Sequence, residues 1–415
     1  MNVLYYSWDE IIADDVVETM QAYGCVVEKV EYELDNNISD AGFIAYIEDV
    51  LRKGINNQRY DYIFSCNFLP VISKIAVRNK IKYISWCYDS PCTTLYSDMI
   101  YNPYNCIFHL DNYEVLRLKR NGVRNMFHIP FVVNAGRIKK LLDKYTTADT
   151  SKTSDITFMG NLYTDNSNYQ NFYNILDDYT KGLIDALVNV QGLYQGTCVL
   201  DGMLVEKEYF ISVISDKINF THMDEFKIND SDVVKNLLYK KISSNDRLRI
   251  IKRIAEHYNI VLYSNSRDNS IISNKNVDYR GVVGYYNNMP VVFNCSKINI
   301  NTTIRSIHTG IPLRCMDIMA AGGFLLSNYQ EELGELFTDG EDVVVFYDDD
   351  DMMRKIDCYI SHDEERKQIV ANGQKKILEN YDYSKAWKYI FDVSEEIGVS
   401  EKIREQTEFR LKKYL

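Results

Sequence analysis

Short Ile-, Tyr- and Phe-rich runs alternate with amphipathic stretches over the first 150 residues, the rhythm of a parallel sheet wound by helices. NVLYYS (2–7), VVEKVEY (26–32), YDYIFSCN (60–67), KYISWCYD (82–89), NCIFHLD (105–111) and MFHIPFV (126–132) predict strands. Their nearly continuous apolar character predicts burial on both faces. Helical patterns near 9–23, 40–55, 69–79 and 112–121 fill the intervals. A polar interval, KYTTADTSKTSD (144–155), then precedes a new strand, DITFMGN (155–161). Long helical patterns dominate 165–255, after which the alternation resumes with NIVLYSN (259–265), VDYRGVV (277–283), VVFNCSKININ (291–301), GFLLSN (323–328) and DVVVFYD (342–348). The pattern predicts an α/β protein of two Rossmann-like domains facing each other across a cleft, where ligands bind in such folds. Residues 1–150 form the first domain and 151–385 the second, with a helical insertion at about 165–255; the helices of 386–415 return to the first.

Composition agrees with a folded two-domain chain. Its 415 residues exceed the size at which one core stops growing, and 46% are hydrophobic and 26% charged. The net charge of −12 argues against a nucleic-acid partner, which needs clustered cations. Two basic stretches, RLKRNGVR (117–124) and RIKKLLDK (137–144), read either as solvated helix faces or as a peripheral contact with anionic lipid or an anionic acceptor. Nine scattered cysteines without CxxC spacing fit reduced thiols. With no signal-peptide pattern in MNVLYYSWDE and no apolar run near twenty residues, the expected location is cytoplasmic.

The chemistry concentrates in HTGIPLRCMDIMAAGGFLLSN (308–328). Pro312 suits a first helical turn and Gly322-Gly323 a left-handed exit, which predicts a helix over 312–321. Thr309 and Gly310 precede its N-terminus, whose free N–H groups and dipole suit a diphosphate. Arg314 opposes that dipole, a misfit resolved if an anionic ligand lies between them; Arg305 closes on the same pocket. Asp317 stands where a carboxylate accepts from vicinal ribose hydroxyls. An ordinary Arg314–Asp317 surface pair is the alternative.

RSIHTGIPLRCMDIMAAGGFLLSNYQEELGELFTDGEDVVVFYD (305–348) resembles the C-terminal signature of the spore-maturation (CgeB-like) glycosyltransferases. YISWCYDSP and IFHLDNYEVLRLKRNGVRNMFHIPF resemble the N-terminal domain that accompanies it, so the likeness spans 60–135 and 255–385. It implies the GT-B fold, relationship to retaining transferases of the group 1 type, and a nucleotide-diphospho-sugar as co-substrate with no cofactor. Such enzymes carry an E-x7-E motif whose second acid binds the ribose. Asp317 takes that place, while counting back eight gives Thr309, a departure that leaves sugar recognition to Thr309, His308 or backbone amides. By the same resemblance Gly160 and Asn161 let the backbone approach the phosphates, Asn265 lies on the diphosphate side, and Val283 and Tyr285 lie at the nucleobase. Asp89, at the end of the WCYDSP strand, is the candidate base or acceptor-orienting acid, with a turn or N-cap acid as the bland reading. His109 competes with it or is a core histidine. No metal site is expected, the DDDD run (348–351) reading as a solvated helix start. The expected reaction is metal-independent transfer of a sugar, UDP-linked by preference, to a hydroxyl of a cell-surface glycan or protein. An inactive GT-B binding protein, or a GT-B epimerase or phosphorylase, are the alternatives.

Overall fold

The computed structural model describes residues 1–34, 40–145, 153–165, 167–194, 199–200 and 230–398. These divide into two compact units, one of 1–130, 230–233 and 383–398, the other of 131–200 and 234–382. The exchange at Pro130/Phe131 comes ahead of the polar interval that marks a boundary in the sequence.

The first unit contains β1 (Asn2–Ser7), α1 (Ala13–Ala22), β2 (Val26–Glu31), α2 (Ala41–Lys53), β3 (Tyr62–Cys66), α3 (Pro70–Asn79), β4 (Lys82–Cys87), β5 (Asn105–His109), α4 (Asn112–Arg120) and β6 (Met126–His128). Its six strands pair in parallel in the order β2-β1-β3-β4-β5-β6. All five residues of β3 and of β5 are buried, as expected of central strands, but the edge strand β2 is buried only at Val30, because one side of it has no neighbouring strand to cover it. Phe43, Ile47 and Ile72 of α2 and α3 share one core with Leu4, Ile63 and Tyr83. Phe64 and Trp86 instead meet Trp387, at 5.6 and 5.4 Å between ring centroids. That residue lies on the last helix among the described residues, Tyr383–Glu396, whose Trp387 indole also donates to Thr19 Oγ1 of α1 at 2.9 Å. An uncovered aromatic sheet face is what draws the C-terminal segment back.

The second unit contains α5 (Ala135–Lys144), β7 (Ser154–Met159), α6 (Ser167–Asn174), α7 (Asp178–Leu193), α8 (Asp230–Ala255, from residue 234 onward), β8 (Ile260–Tyr263), α9 (Asn269–Ile272), β9 (Val277–Gly281), α10 (Met289–Cys295), β10 (Ser296–Asn301), α11 (Leu313–Ala320), β11 (Leu325–Asn328), α12 (Glu331–Leu336), β12 (Val344–Phe346), α13 (Asp349–Tyr359) and α14 (Asp363–Asn380). The helix ending at Glu396 is α15. This sheet is also parallel, in the order β12-β11-β10-β7-β8-β9. Part of the expected insertion, 201–229, and residues 399–415 of the C-terminal segment lie outside the described residues.

Several expectations need correction. The 291–301 run is not one strand. Residues 289–295 form α10, with Pro290 in its first turn and Val291, Val292 and Phe293 buried together, and only Ser296–Asn301 extends into β10. A short apolar run carries no period of its own, and the proline decides it. The sixth strand stops at His128, two residues ahead of Pro130. Pro312 is the N-cap of α11 rather than its first helical residue. Ser90-Pro91 opens no α-helix: the peptide is cis, and a short 3-10 turn follows at Thr93–Tyr96.

Candidate functional site

In each sheet the strand order reverses at one point, β1/β3 in the first and β7/β10 in the second. The crevice outside the carboxyl ends of the strands at such a reversal is where open parallel sheets bind ligands. Both crevices are built here, with opposite chemistry.

In the first unit an open cleft of about 800 Å³ is lined by Ser7 at the end of β1, by residues following β1 (Trp8, Asp9), β2 (Tyr32, Glu33) and β3 (Asn67), and by Asp89 beyond β4. Glu10 organises the β1–α1 turn: its carboxylate accepts from the Tyr5 hydroxyl, from Ser7 Oγ at 3.0 Å and from the Trp8 amide at 3.0 Å. Burial pushes the Glu10 carboxyl up. Trp8 donates its indole N–H to the Cys66 carbonyl at 2.9 Å, which fixes the ring at the cleft wall.

Asp89 is exposed and is set by Asn67, a residue without a motif in the sequence. Asn67 Oδ1 accepts from the Tyr88 and Asp89 amides, both at 2.9 Å, while its Nδ2 donates to Asp89 Oδ2 at 2.8 Å. Asn67 has φ +64, a left-handed conformation that asparagine tolerates and that aims its amide back at the next strand. The side chain of Asp89 is therefore held by a neighbouring turn rather than capping a helix. His109, the rival candidate, is buried at the end of β5, and its Nδ1 accepts from the Asp111 amide at 3.0 Å. Burial pushes its pKa down, which keeps it neutral, and it does not line the cleft. The structure makes it a core histidine, because a ring enclosed on a central strand loses the solvent that would stabilise its charge.

In the second unit all the other candidates gather at the carboxyl edge of the sheet. Gly160 and Asn161 follow β7, Asn265 follows β8, Val283 and Tyr285 follow β9, and the loop holding Arg305, His308, Thr309 and Gly310 joins β10 to α11. Asn161 Oδ1 accepts from the Tyr163 amide at 2.6 Å and from Ser266 Oγ at 2.7 Å, tying the β7 and β8 turns together beside the exposed Asn265.

The central residue is one that no motif marks. Arg247 of α8 is buried and donates to the Asn161 carbonyl and, at 2.8 Å, to the Thr302 carbonyl, so it spans the β7/β10 reversal. Tyr163 covers it at 4.6 Å. A Cβ on Gly160 would lie 3.4 Å from its Nη1, an ordinary contact, so the guanidinium packs directly against the β7 turn without requiring the glycine. Arg314, in the first turn of α11, donates to the Met159 carbonyl at 2.6 Å. Neither arginine makes an ion pair among the described residues. Burial, and the neighbouring Arg314 charge, push the Arg247 pKa down. Buried Arg247 Nε and Thr302 Oγ1 have no hydrogen-bond partner among the described residues. Two adjacent cations and orphaned polar atoms at a sheet reversal are groups that an anionic acceptor would satisfy, since each is costly without one.

Other expectations shift. Arg305 does not close on this pocket. It is paired with Asp246 at 2.6 Å and donates to the Tyr194 carbonyl, both side chains of the pair being buried, which leaves only its Nη2 without a hydrogen-bond partner among the described residues. His308 meets Tyr239 of α8, Nε2 to hydroxyl 3.1 Å. Thr309 donates to Glu332 Oε1 at 2.9 Å, and Gln330 Nε2 donates to the carbonyls of Ile307 and Gly310, which fixes the loop ahead of α11. Asp317 is buried, and the Tyr285 hydroxyl donates to it at 3.3 Å. Arg137 lies over both Tyr285 and Tyr286, at 5.1 and 5.0 Å, so Tyr285 is enclosed rather than open to stack on a base. This also turns Arg137 inward, and Arg117 likewise pairs with Glu114 at 2.7 Å, which removes both from a basic outer face. Asp348 caps α13, accepting from the Asp351 amide at 2.7 Å. Helix α11 ends as the glycines require, with Gly322 at φ +70 and the Gly323 amide bonded to the Ile318 carbonyl at 2.9 Å.

Tyr239, Ser243, Asp246 and Arg247 recur at helical spacing and make one polar stripe on α8. Ser243 Oγ accepts from the Arg305 amide at 2.9 Å, so the stripe braces the whole 302–308 loop. The stripe was the available signal in the sequence.

Residues 247–392 match the profile of a family described as glycosyl transferase-like, a segment that starts at Arg247. Among solved structures the chain is similar to a glycosyltransferase from Rickettsia africae, with TM-score 0.57, 10% identity, and 95% of this chain and 98% of that one covered. It is similar also to sucrose-phosphate synthase from Thermosynechococcus elongatus (0.55, 8%, 94% and 98%) and to the DNA-modifying enzyme beta-glucosyltransferase, solved with and without uridine diphosphoglucose (0.51, 10%, 95% and 100%). The fold is that of the GT-B glycosyltransferases. No curated protein matches the chain. Among the described residues no helix is long and apolar enough to cross a membrane.

Proposed function

We propose that this protein is a glycosyltransferase of the CgeB-like type that moves a sugar, a hexose, from a UDP-sugar to an acceptor hydroxyl of a glycan or protein. The observation that carries the reading is the Arg247–Arg314 pair at the β7/β10 reversal, without an acidic partner among the described residues and in the same unit as the buried acid Asp317. The family match over 247–392 supports the reading, since it spans both arginines and Asp317.

In this mechanism the donor's diphosphate lies against Arg247, Arg314 and the N-terminus of α11, with Asp317 accepting from the ribose. The bond between the sugar's anomeric carbon and the diphosphate oxygen breaks, its electron pair leaving on that oxygen, where the cations stabilise it. The acceptor oxygen bonds to the anomeric carbon, and Asp89, oriented by Asn67, takes its proton. The cationic groups make departure independent of a metal ion. The test is transfer and donor hydrolysis across a panel of nucleotide sugars, with and without EDTA, for wild type, Arg314→Ala and Asp89→Asn. The reading expects EDTA-insensitive turnover with at least one UDP-sugar, lost in both variants. Absence of any thermal shift with every nucleotide and nucleotide sugar would sink it.

A further inference from the structure

The basic stretches marked in the sequence turn inward at Arg117 and Arg137, but the structure gathers cations elsewhere. At the amino edge of the first unit's sheet, the end opposite the Asp89 crevice, lies a groove of about 1050 Å³. Arg52 and Lys53 in the last turn of α2, Arg59 ahead of β3, and Arg78 and Lys80 at the end of α3 line it. All five are exposed. Two acids, Glu48 and Asp61, share the lining, and Asp61 already accepts from the Asn2 amide at 2.7 Å. Asp49 pairs with Arg52 and Lys53 at 3.4 and 2.6 Å, yet these two side chains stay 74% and 72% exposed, where such pairs are worth little. Helix dipoles account for the cations in the last turns of α2 and α3. They do not account for Arg59, and neither Arg59 nor Lys80 makes an ion pair among the described residues. In a chain of net charge −12 this edge is a local reversal of sign.

Three observations decide what the groove fits. The cations reach outward and none is buried and aimed at a single point, so many phosphates spread over a surface suit them better than one enclosed phosphate. The strands between this edge and the acidic cleft are five or six residues long, about 17–20 Å, which exceeds the ~8 Å screening length at physiological salt. A planar anionic surface therefore meets the cations without meeting Asp9, Glu33 and Asp89. The third is the sequence beyond α15. Lys82, also in the groove, donates to the Ser394 and Glu395 carbonyls at 2.5 and 3.3 Å, so that helix ends at this edge. Further along the chain FRLKKYL (409–415) sets three cations among Phe, Leu and Tyr with no acid, the composition of segments that lie in a lipid interface.

We infer that the amino edge of the first unit docks on a membrane surface of anionic lipid, its cations among the headgroup phosphates. The Asp89 crevice, at the other end of the strands, then faces away from the bilayer. The inference stands apart from the transferase reading, because vesicle binding needs neither donor nor acceptor.

The full chain is sedimented with vesicles of phosphatidylcholine alone and of phosphatidylcholine mixed with phosphatidylglycerol. Partitioning onto the anionic vesicles is expected to be at least about a hundredfold stronger, and the difference should close at high salt. Arg59→Gln with Lys80→Asn removes two exposed charges, and asparagine tolerates the left-handed φ of +54 at position 80. The melting temperature of that variant should hold while its partitioning falls about thirtyfold. Lys139→Gln with Lys140→Gln, at exposed positions of α5, removes as much charge from a stretch outside the groove and should change partitioning less than about threefold. Equal partitioning onto neutral vesicles, or an equal loss in the α5 variant, overturns the inference. So does wild-type partitioning by the Arg59 and Lys80 variant, which would leave FRLKKYL as the sole anchor. Release by inorganic phosphate, or stronger retention on heparin than on vesicles, overturns it as well, since either result assigns the groove to another anion.

Discussion

The two units carry six-stranded parallel sheets, each with one reversal of strand order and each with its polar groups at the carboxyl edge, yet the two edges have opposite charge. The first presents Asp9, Glu33 and Asp89 around an exposed tryptophan; the second presents Arg247 and Arg314 around a glycine turn. The lesson is that the sheet chooses the place of a site and the loops choose its chemistry. In both, a residue from outside the obvious motif sets the geometry: half-buried Asn67 for Asp89, and buried Arg247 for the Asn161 turn.

The sharpest way to break this contrast is to neutralise the cationic edge. Arg247→Met keeps most of the side-chain volume and removes the charge, so UDP affinity measured by calorimetry should fall about a hundredfold, the worth of one buried charge-assisted contact. Arg314→Ala, at a half-buried position, should cost about tenfold in the same measurement. If neither moves UDP binding, the second edge is not an anion site. On the acidic edge, Asn67→Ala should lower kcat about tenfold with the donor KM unchanged, because Asp89 loses its orienting amide but the donor site in the other unit does not. An equal effect of Asn67→Ala on donor affinity would show that the edges are not chemically separate.

The smallest expected effect concerns His109, which distinguishes a core residue from a functional one. Burial lowers its folded-state pKa. Above about pH 6.5 both folded and unfolded chains leave it neutral; below that the unfolded chain binds the proton first, so stability falls as pH falls. His109→Gln should flatten that decline by at most about 1.4 kcal/mol per pH unit, read from denaturant melts between pH 6.5 and 5. An unaltered slope would mean that His109 titrates normally.

Much of the architecture was legible because parallel strands buried on both faces write themselves as apolar runs. The runs at 2–7 and 105–111 contain observed strands nearly to the residue, and the Gly322-Gly323 exit follows from glycine's access to positive φ. Residues 291–301 were misread because a run too short to show a period leaves helix and strand equivalent until a proline arbitrates. At the site, the sequence marked the 308–317 segment and its misplaced arginine, since a charge in an apolar helix is conspicuous. It did not separate Arg314 from Arg305: both are cations near a helix start, and only the fold placed Asp246 beside one of them.

What the amino-acid order determined by itself was local: which segments bury, where helices stop, and which short stretch concentrates charge, all properties of neighbours along the chain. What only tertiary structure decided was partnership. Arg247 meets Asn161 and Thr302 across 86 and 55 positions, and Trp387 meets Thr19 across 368. Such pairings are fixed by which faces the packed sheet and helices must bury together, and no periodicity along the chain encodes them.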